Sequence, residues 1–260
     1  MAGAHVFPGG ILEDGDSDPR WRDIVPSGKE IDAGELAWRL AGVREVFEEC
    51  GLLISRPPLS SSPPEAKKWR ERSAQDSTHF LRMFTDRESD DNAGLRHHIP
   101  DTEALVPWAH WVTPLEEKWR YDTRFYLSVL PQPYDHAQTD AREVTHLDWF
   151  APTEALRAFD EGTISLPPPT WFMLKELTNY PSLASLREAT TRGRDLTPVQ
   201  PSLVPTDEGL VIAMSGDRLH WASRGSVAAR GFNRMLAEAG PGRQSYALIV
   251  DPNPPLSASL

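Results

Sequence analysis

The 260-residue chain holds one cysteine, Cys50. A single thiol excludes an intrachain disulfide, and with it a small disulfide-stapled scaffold. No apolar run approaches the roughly 20 residues that span a bilayer, so a membrane partner is not expected. The first residues lack the basic and apolar regions of a secretory signal. The C-terminal Ser257-Ala258-Ser259-Leu260 is not a Ser-Lys-Leu peroxisomal address. These absences point to the cytoplasm. Basic residues are also scarce: 27 Lys and Arg face 38 Asp and Glu, for a net charge of −11. So acidic a surface repels phosphate backbones and argues against a nucleic acid polymer as partner. A small anionic substrate would need a local arginine or a metal ion. No internal repeat is found. The length and the 39% hydrophobic content suit one large domain, or one domain with an extension.

What the chain does have is a concentration of acids at Arg44–Leu52, Arg-Glu-Val-Phe-Glu-Glu-Cys-Gly-Leu. A helix is predicted from about Gly34, with Leu36, Leu40, Val43 and Phe47 forming its apolar stripe. Gly51 suits a helix C-cap. Glu45, Glu48 and Glu49 then share one patch, where each like-charged pair costs about 0.2–0.5 kcal/mol. A solvated acidic face accounts for this spacing, and so does a cation-binding patch. Arg44 supplies one compensating charge through its i,i+4 relation to Glu48. Cys50 reads as a packing residue, because no histidine stands beside it in the motif.

Along the chain, Asp14–Ala33 is polar and broken by Gly15, Pro19, Pro26 and Gly28, so it reads as a loop. Arg56–Pro64 is a Pro/Ser-rich linker. Glu65–Arg87 looks helical, and the adjacent His97 and His98 read as surface residues. Strands are expected at Leu105–Pro114, Arg120–Leu130 and Glu143–Phe150, which are rich in aromatic and β-branched residues. Helices are expected at Pro152–Asp160 and from Thr170 to about Asn179. Further on, Gly209–Met214 and Tyr246–Val250 read as short strands, and Val227–Ala239 as a helix.

Upstream of the acidic helix stands Phe7-Pro8-Gly9-Gly10-Ile11-Leu12-Glu13. This glycine-led stretch and Arg44–Leu52 together resemble the two halves of the Nudix hydrolase box. Gly10 to Arg44 is about 20 residues longer than the family's usual interval. The box's usual Gly-Glu pair is sought at Gly34-Glu35, which slips by one, leaving Leu36 in the acid's position. The long spacer, with Trp111–Pro114, Tyr121–Leu127, Leu147–Leu156 and Leu166–Leu174, resembles the branch of peroxisomal and mitochondrial coenzyme A diphosphatases, which carry an insertion inside the box. That resemblance covers residues 4–178, and it places the protein in a peroxisome or mitochondrion where the missing signals suggest cytoplasm.

The resemblance implies an α+β fold: a Nudix-type α/β/α sandwich with a mixed sheet. Met1 stands only a few residues before the glycine loop, so the first strand or strands are expected to be missing. The expected organisation is a Nudix hydrolase domain at 1–180, with an insertion at 14–33 and an extra helical segment at 57–104. A C-terminal extension follows at 181–260. The implied reaction is metal-dependent hydrolysis of the diphosphate in a small nucleoside diphosphate derivative. Coenzyme A or acyl-coenzyme A would yield 3′,5′-ADP and (acyl-)4′-phosphopantetheine. Mg²⁺ or Mn²⁺ is the implied cofactor, since hard cations take carboxylate and phosphate oxygens. Glu45, Glu48 and Glu49 would be the metal ligands. Glu48 or Glu49 would also position or deprotonate the water, and Arg44 would orient the acids. Gly9 and Gly10 would bring backbone to the substrate. Glu143, preferred over Asp122, is a candidate remote carboxylate. Arg124 would contact a phosphate or pair with Asp122. The rivals are a Nudix hydrolase of ADP-ribose or NADH, and a truncated, non-catalytic Nudix-fold binding protein. The oligomeric state is not indicated.

Overall fold

The structure is a computed structural model that describes residues 3–59, 62–86, 94–130, 137, 139, 146–207, 209–217, 219–222, 233–240 and 243–250. Its contacts divide the chain into two compact units. One comprises residues 7–106 and 126–149, and the other 1–6, 107–125 and 150–260. The sequence boundary at 180/181 is not where this division falls, because residues 150–180 and 181–260 share a unit.

The first unit is built on helices. The interval Asp14–Ala33, expected as loop, holds a 3-10 turn at Asp14–Ser17 and a single-turn helix α1 (Trp21–Ile24). The reason is Trp21, which is 1% exposed and packs its ring 5.7 Å from both Phe80 and Phe84. Its indole N–H donates to the Gly15 carbonyl at 2.8 Å. One buried aromatic thus pins a stretch whose composition otherwise reads as solvent-facing.

Helix α2 (Ala33–Cys50) follows the predicted stripe. Leu36, Leu40, Val43 and Phe47 are all buried. Asp32 caps its start by accepting from the Gly34 and Glu35 amides, and Gly51 closes it at φ 69°, a left-handed conformation that favours glycine. The short strands β1 (Ser55–Arg56) and β2 (Ile99–Pro100) pair antiparallel. Between them lie α3 (Pro64–Ser73) and α4 (Thr78–Thr85), which bury Trp69, Phe80, Leu81, Met83 and Phe84 against α2.

Strands β3 (Val106–Val112) and β4 (Asp122–Leu127) fall within the stretches expected as strands, and they pair with each other. Of the strand expected over Glu143–Phe150, residues 143–145 lie outside the described residues and 146–150 have no regular structure. The alternating pattern there ends in surface residues, Trp149 and Phe150, before Pro152 starts the next helix.

In the second unit, α5 (Pro152–Asp160) and α6 (Pro168–Leu177) contribute Phe159, Trp171 and Leu174 to one apolar cluster with Ile212 and Met235. Helix α7 (Leu183–Thr191) precedes an antiparallel sheet of β5 (Ser202–Thr206), β6 (Gly209–Ala213), β7 (Asn233–Gly240) and β8 (Arg243–Val250), in that order. The helix expected over Val227–Ala239 is overturned: 227–232 lie outside the described residues and β7 occupies the rest. Met, Leu and Ala there favour helix locally. Pairing on both sides, Met235 with Ile212 and with Leu248, outweighs that preference. A parallel bridge joins Trp111 to Val199. Among the described residues no helix is long and apolar enough to cross a membrane.

Candidate active site

The two halves of the motif meet in the first unit. Arg44, 2% exposed, lies beneath the acids and spreads its guanidinium among them. Nη1 stands 2.8 Å from Glu45 Oε1 and 3.3 Å from Glu48 Oε2. Nε and Nη2 donate to the two oxygens of Asp16 at 2.8 and 2.9 Å, and Nη2 also donates to the Ile11 carbonyl at 2.9 Å. Burial opposes the arginine's charge, but Asp16, Glu45 and Glu48 outweigh it and raise its pKa further.

Asp16 is the residue that the sequence reading missed. The acid serving Arg44 is not at Leu36, where the slipped Gly34-Glu35 pair left a gap. It stands six residues after Gly10, ahead of the lengthened interval. Counting forward from the glycines would have found it; counting back from Arg44 crosses the insertion and fails. Asp16 is 2% exposed and accepts from the Glu13 amide at 2.9 Å, so it is fixed as firmly as the arginine it binds.

The glycine loop closes over the acids. Glu49 Oε2 accepts from the Gly9 amide at 3.0 Å. A Cβ on Gly10 would stand 2.4 Å from Glu45 Oε1, so only glycine allows this approach; a Cβ on Gly9 would meet nothing within 4 Å. The second oxygen of Glu48, Oε1, accepts from the Ser73 hydroxyl.

This is not a solvated face. Glu48 is 9% exposed as a residue and the Glu45 side chain 12%. Burial pushes the Glu45 carboxyl up to about 7, against the pull of Arg44 and reinforced by Glu48 and Glu49. Burial raises Glu48 too, opposed by Ser73 and Arg44. Cys50 is 2% exposed, packs near Leu52, Leu130 and Leu147, and burial pushes its thiol up to about 11. It is a packing residue and no nucleophile.

Arg124 and Asp122 are exposed on the part of β4 that belongs to the second unit. Asp122 Oδ1 accepts from His110 Nε2 at 2.5 Å. Glu143 lies outside the described residues. His98, expected at the surface, is half-buried, with Nδ1 2.7 Å from the Pro57 carbonyl.

A model of the NUDT19 Nudix domain matches residues 26–177, more than half of the chain. The chain belongs to the NUDT19 Nudix family. It is 31% identical to the acyl-coenzyme A diphosphatase NUDT19 of Homo sapiens, over 85% of this chain and 68% of that protein. Against the protein of the same name from Gallus gallus it is 28% identical, over 85% and 69%. These spans extend beyond the 4–178 stretch on which the sequence resemblance rested. A Nudix hydrolase from Alicyclobacillus acidocaldarius superposes with a TM-score of 0.58 at 21% identity, over 73% of this chain and 81% of that one, and shows the shared α+β fold.

The protein is therefore a Nudix hydrolase, and such enzymes hydrolyse diphosphates, generally with divalent cations. The donor chemistry here fits such an ion. Three carboxylates share less than two turns of helix around one guanidinium, and burial, reinforced by Glu48 and Glu49, makes the Glu45 charge costly. A hard cation would stabilise that charge through oxygen ligands. Among the described residues no three His, Cys, Asp or Glu side chains converge as a ready-made metal group. Arg44, Ser73 and the Gly9 amide engage the carboxylate oxygens instead.

Proposed function

We propose that this enzyme hydrolyses the diphosphate of coenzyme A and its acyl esters, giving 3′,5′-ADP and (acyl-)4′-phosphopantetheine, with Mg²⁺ or Mn²⁺. The observation that carries the chemistry is the buried Arg44 presenting Glu45, Glu48 and Glu49 beneath the Gly9-Gly10 loop. Support for the substrate comes from relatives named acyl-coenzyme A diphosphatases.

In this reading Glu45, Glu48 and Glu49 hold the cation. When bound, it would neutralise the diphosphate and lower the pKa of water. Glu48 is held by Arg44 on one oxygen and Ser73 on the other, which suits a fixed ligand. Glu49, attached through one oxygen to the Gly9 amide, positions the attacking water and accepts its proton. The water oxygen bonds to phosphorus as the bridging P–O bond breaks, and the bridging oxygen leaves with the second phosphate. Arg44 orients the acids and does not touch substrate. Glu143 is the remote carboxylate.

Incubation with coenzyme A and Mg²⁺, followed by chromatography of the products, tests this. Release of 3′,5′-ADP and phosphopantetheine, abolished by Glu49→Gln, is expected. Cleavage of ADP-ribose or NADH with coenzyme A left intact would refute the substrate. Loss of metal response in the wild type itself would refute the site.

A further inference from the structure

The helical segment between β1 and β2 touches the acid-bearing helix and the loop ahead of it at three points. Arg70 on α3 donates from Nε to the Glu48 carbonyl at 2.6 Å and from Nη2 to the Glu49 carbonyl at 2.7 Å. Ser73, three residues later and 3% exposed, donates its hydroxyl to Glu48 Oε1. Ser77 accepts from the Gly15 amide at 3.1 Å, next to the Asp16 that binds Arg44.

Each contact has a distinct consequence. The last carbonyls of α2 have no partners within the helix, so Arg70 satisfies two of them and fixes the final turn. Glu48 then receives donors on both sides: Arg44 at Oε2 and Ser73 at Oε1. Two opposed donors restrict rotation of the carboxylate plane. A third cation in place of Ser73 would cancel the charge that a metal ion needs. A hydroxyl orients the carboxylate and leaves its charge intact.

We propose that Ser73 is a positioning residue, which holds Glu48 in the orientation that binds the cation, with Arg70 fixing the helical turn from which Glu48 projects. This rests on the assignment of Glu48 to the metal site. Partners of metal ligands typically contribute about 10–100-fold in metal affinity or activity.

The test uses the full chain, with Mn²⁺ as probe and free Mn²⁺ read by electron paramagnetic resonance, alongside kcat and KM for coenzyme A and circular dichroism for folding. Ser73→Ala should weaken Mn²⁺ binding about tenfold and lower kcat with little change in KM, and Ser73→Thr should restore both. A folded Ser73→Ala with wild-type Mn²⁺ affinity and kcat, beside a Glu48→Gln that loses both, overturns the role of Ser73 and leaves the site standing. Wild-type Mn²⁺ binding and kcat in Glu48→Gln overturns the site and this proposal together. Should Ser73→Ala fail to fold, Ser73→Cys, a weaker donor, is held to the same two outcomes.

Discussion

Metal-free protein should become more stable when Glu45 loses its charge. The carboxyl sits at about 7 in the folded chain against an ordinary 4.5, chiefly because burial penalises the ion and secondarily because Glu48 and Glu49 crowd it. At about 1.4 kcal/mol per unit, ionising it in the folded state costs roughly 3 kcal/mol more than in the unfolded chain. The sign follows from proton counts. Between pH 4.5 and 7 the folded state binds more protons than the unfolded one, so stability falls as pH rises through that window. Above it the penalty is constant. Glu45→Gln removes the penalty and keeps a carbonyl for Arg44 Nη1, now 2.8 Å from Oε1. The attraction of Arg44 is already contained in that pKa, so the expected advantage at pH 8, relative to pH 4.5, is about 3 kcal/mol. Urea unfolding of chelator-treated wild type and variant, at pH 4.5 and pH 8, measures it. The variant should gain at pH 8 relative to its difference at pH 4.5. Mn²⁺ at a hundredfold over its Kd should then stabilise the wild type by about 2.7 kcal/mol and the variant by less, shrinking or reversing the gap. A variant destabilised equally at both pH values would refute the reasoning, because it would mean that Arg44 already compensates Glu45 fully.

Four further outcomes follow from the same geometry. Asp16→Asn should cost about 3–5 kcal/mol in urea unfolding, because it removes the whole charge of the bidentate partner of the 2% exposed Arg44 and replaces one acceptor oxygen by a donor. Gly10→Ala drives a methyl to 2.4 Å from Glu45 Oε1, and the flexible carboxylate can yield; stability should change by less than about 1 kcal/mol while kcat falls on the order of 100-fold. Gly9→Ala meets nothing within 4 Å and should leave both nearly unchanged in the same assays. Trp21→Ala should cost about 3–5 kcal/mol and lower the thermal midpoint, since it removes the ring packed against both Phe80 and Phe84.

Periodicity made the acid-bearing helix legible in the sequence, and its stripe and its Gly51 C-cap stand where spacing placed them. Such signals succeed because helix neighbours are sequence neighbours. The failures share one cause, interactions between distant residues that local pattern does not encode. Trp21 reads as one aromatic in a polar loop until Phe80 and Phe84 are known to pack against it. Arg234-Met-Leu-Ala-Glu-Ala reads as helix until β6 and β8 claim both its edges. Asp16 lies 28 residues from Arg44, and Ser73 lies 25 from Glu48, in segments of low apparent information. Yet these two contacts decide what the motif can do. Without Asp16, Arg44 would spend its charge on the glutamates and weaken their hold on a cation. With Asp16 taking Nε and sharing Nη2, only Nη1 reaches Glu45 and Glu48, so one donor nitrogen faces two carboxylates, and burial already opposes ionisation at Glu45. The motif supplies the acids, and the residues outside it set how much of their charge remains for a metal ion.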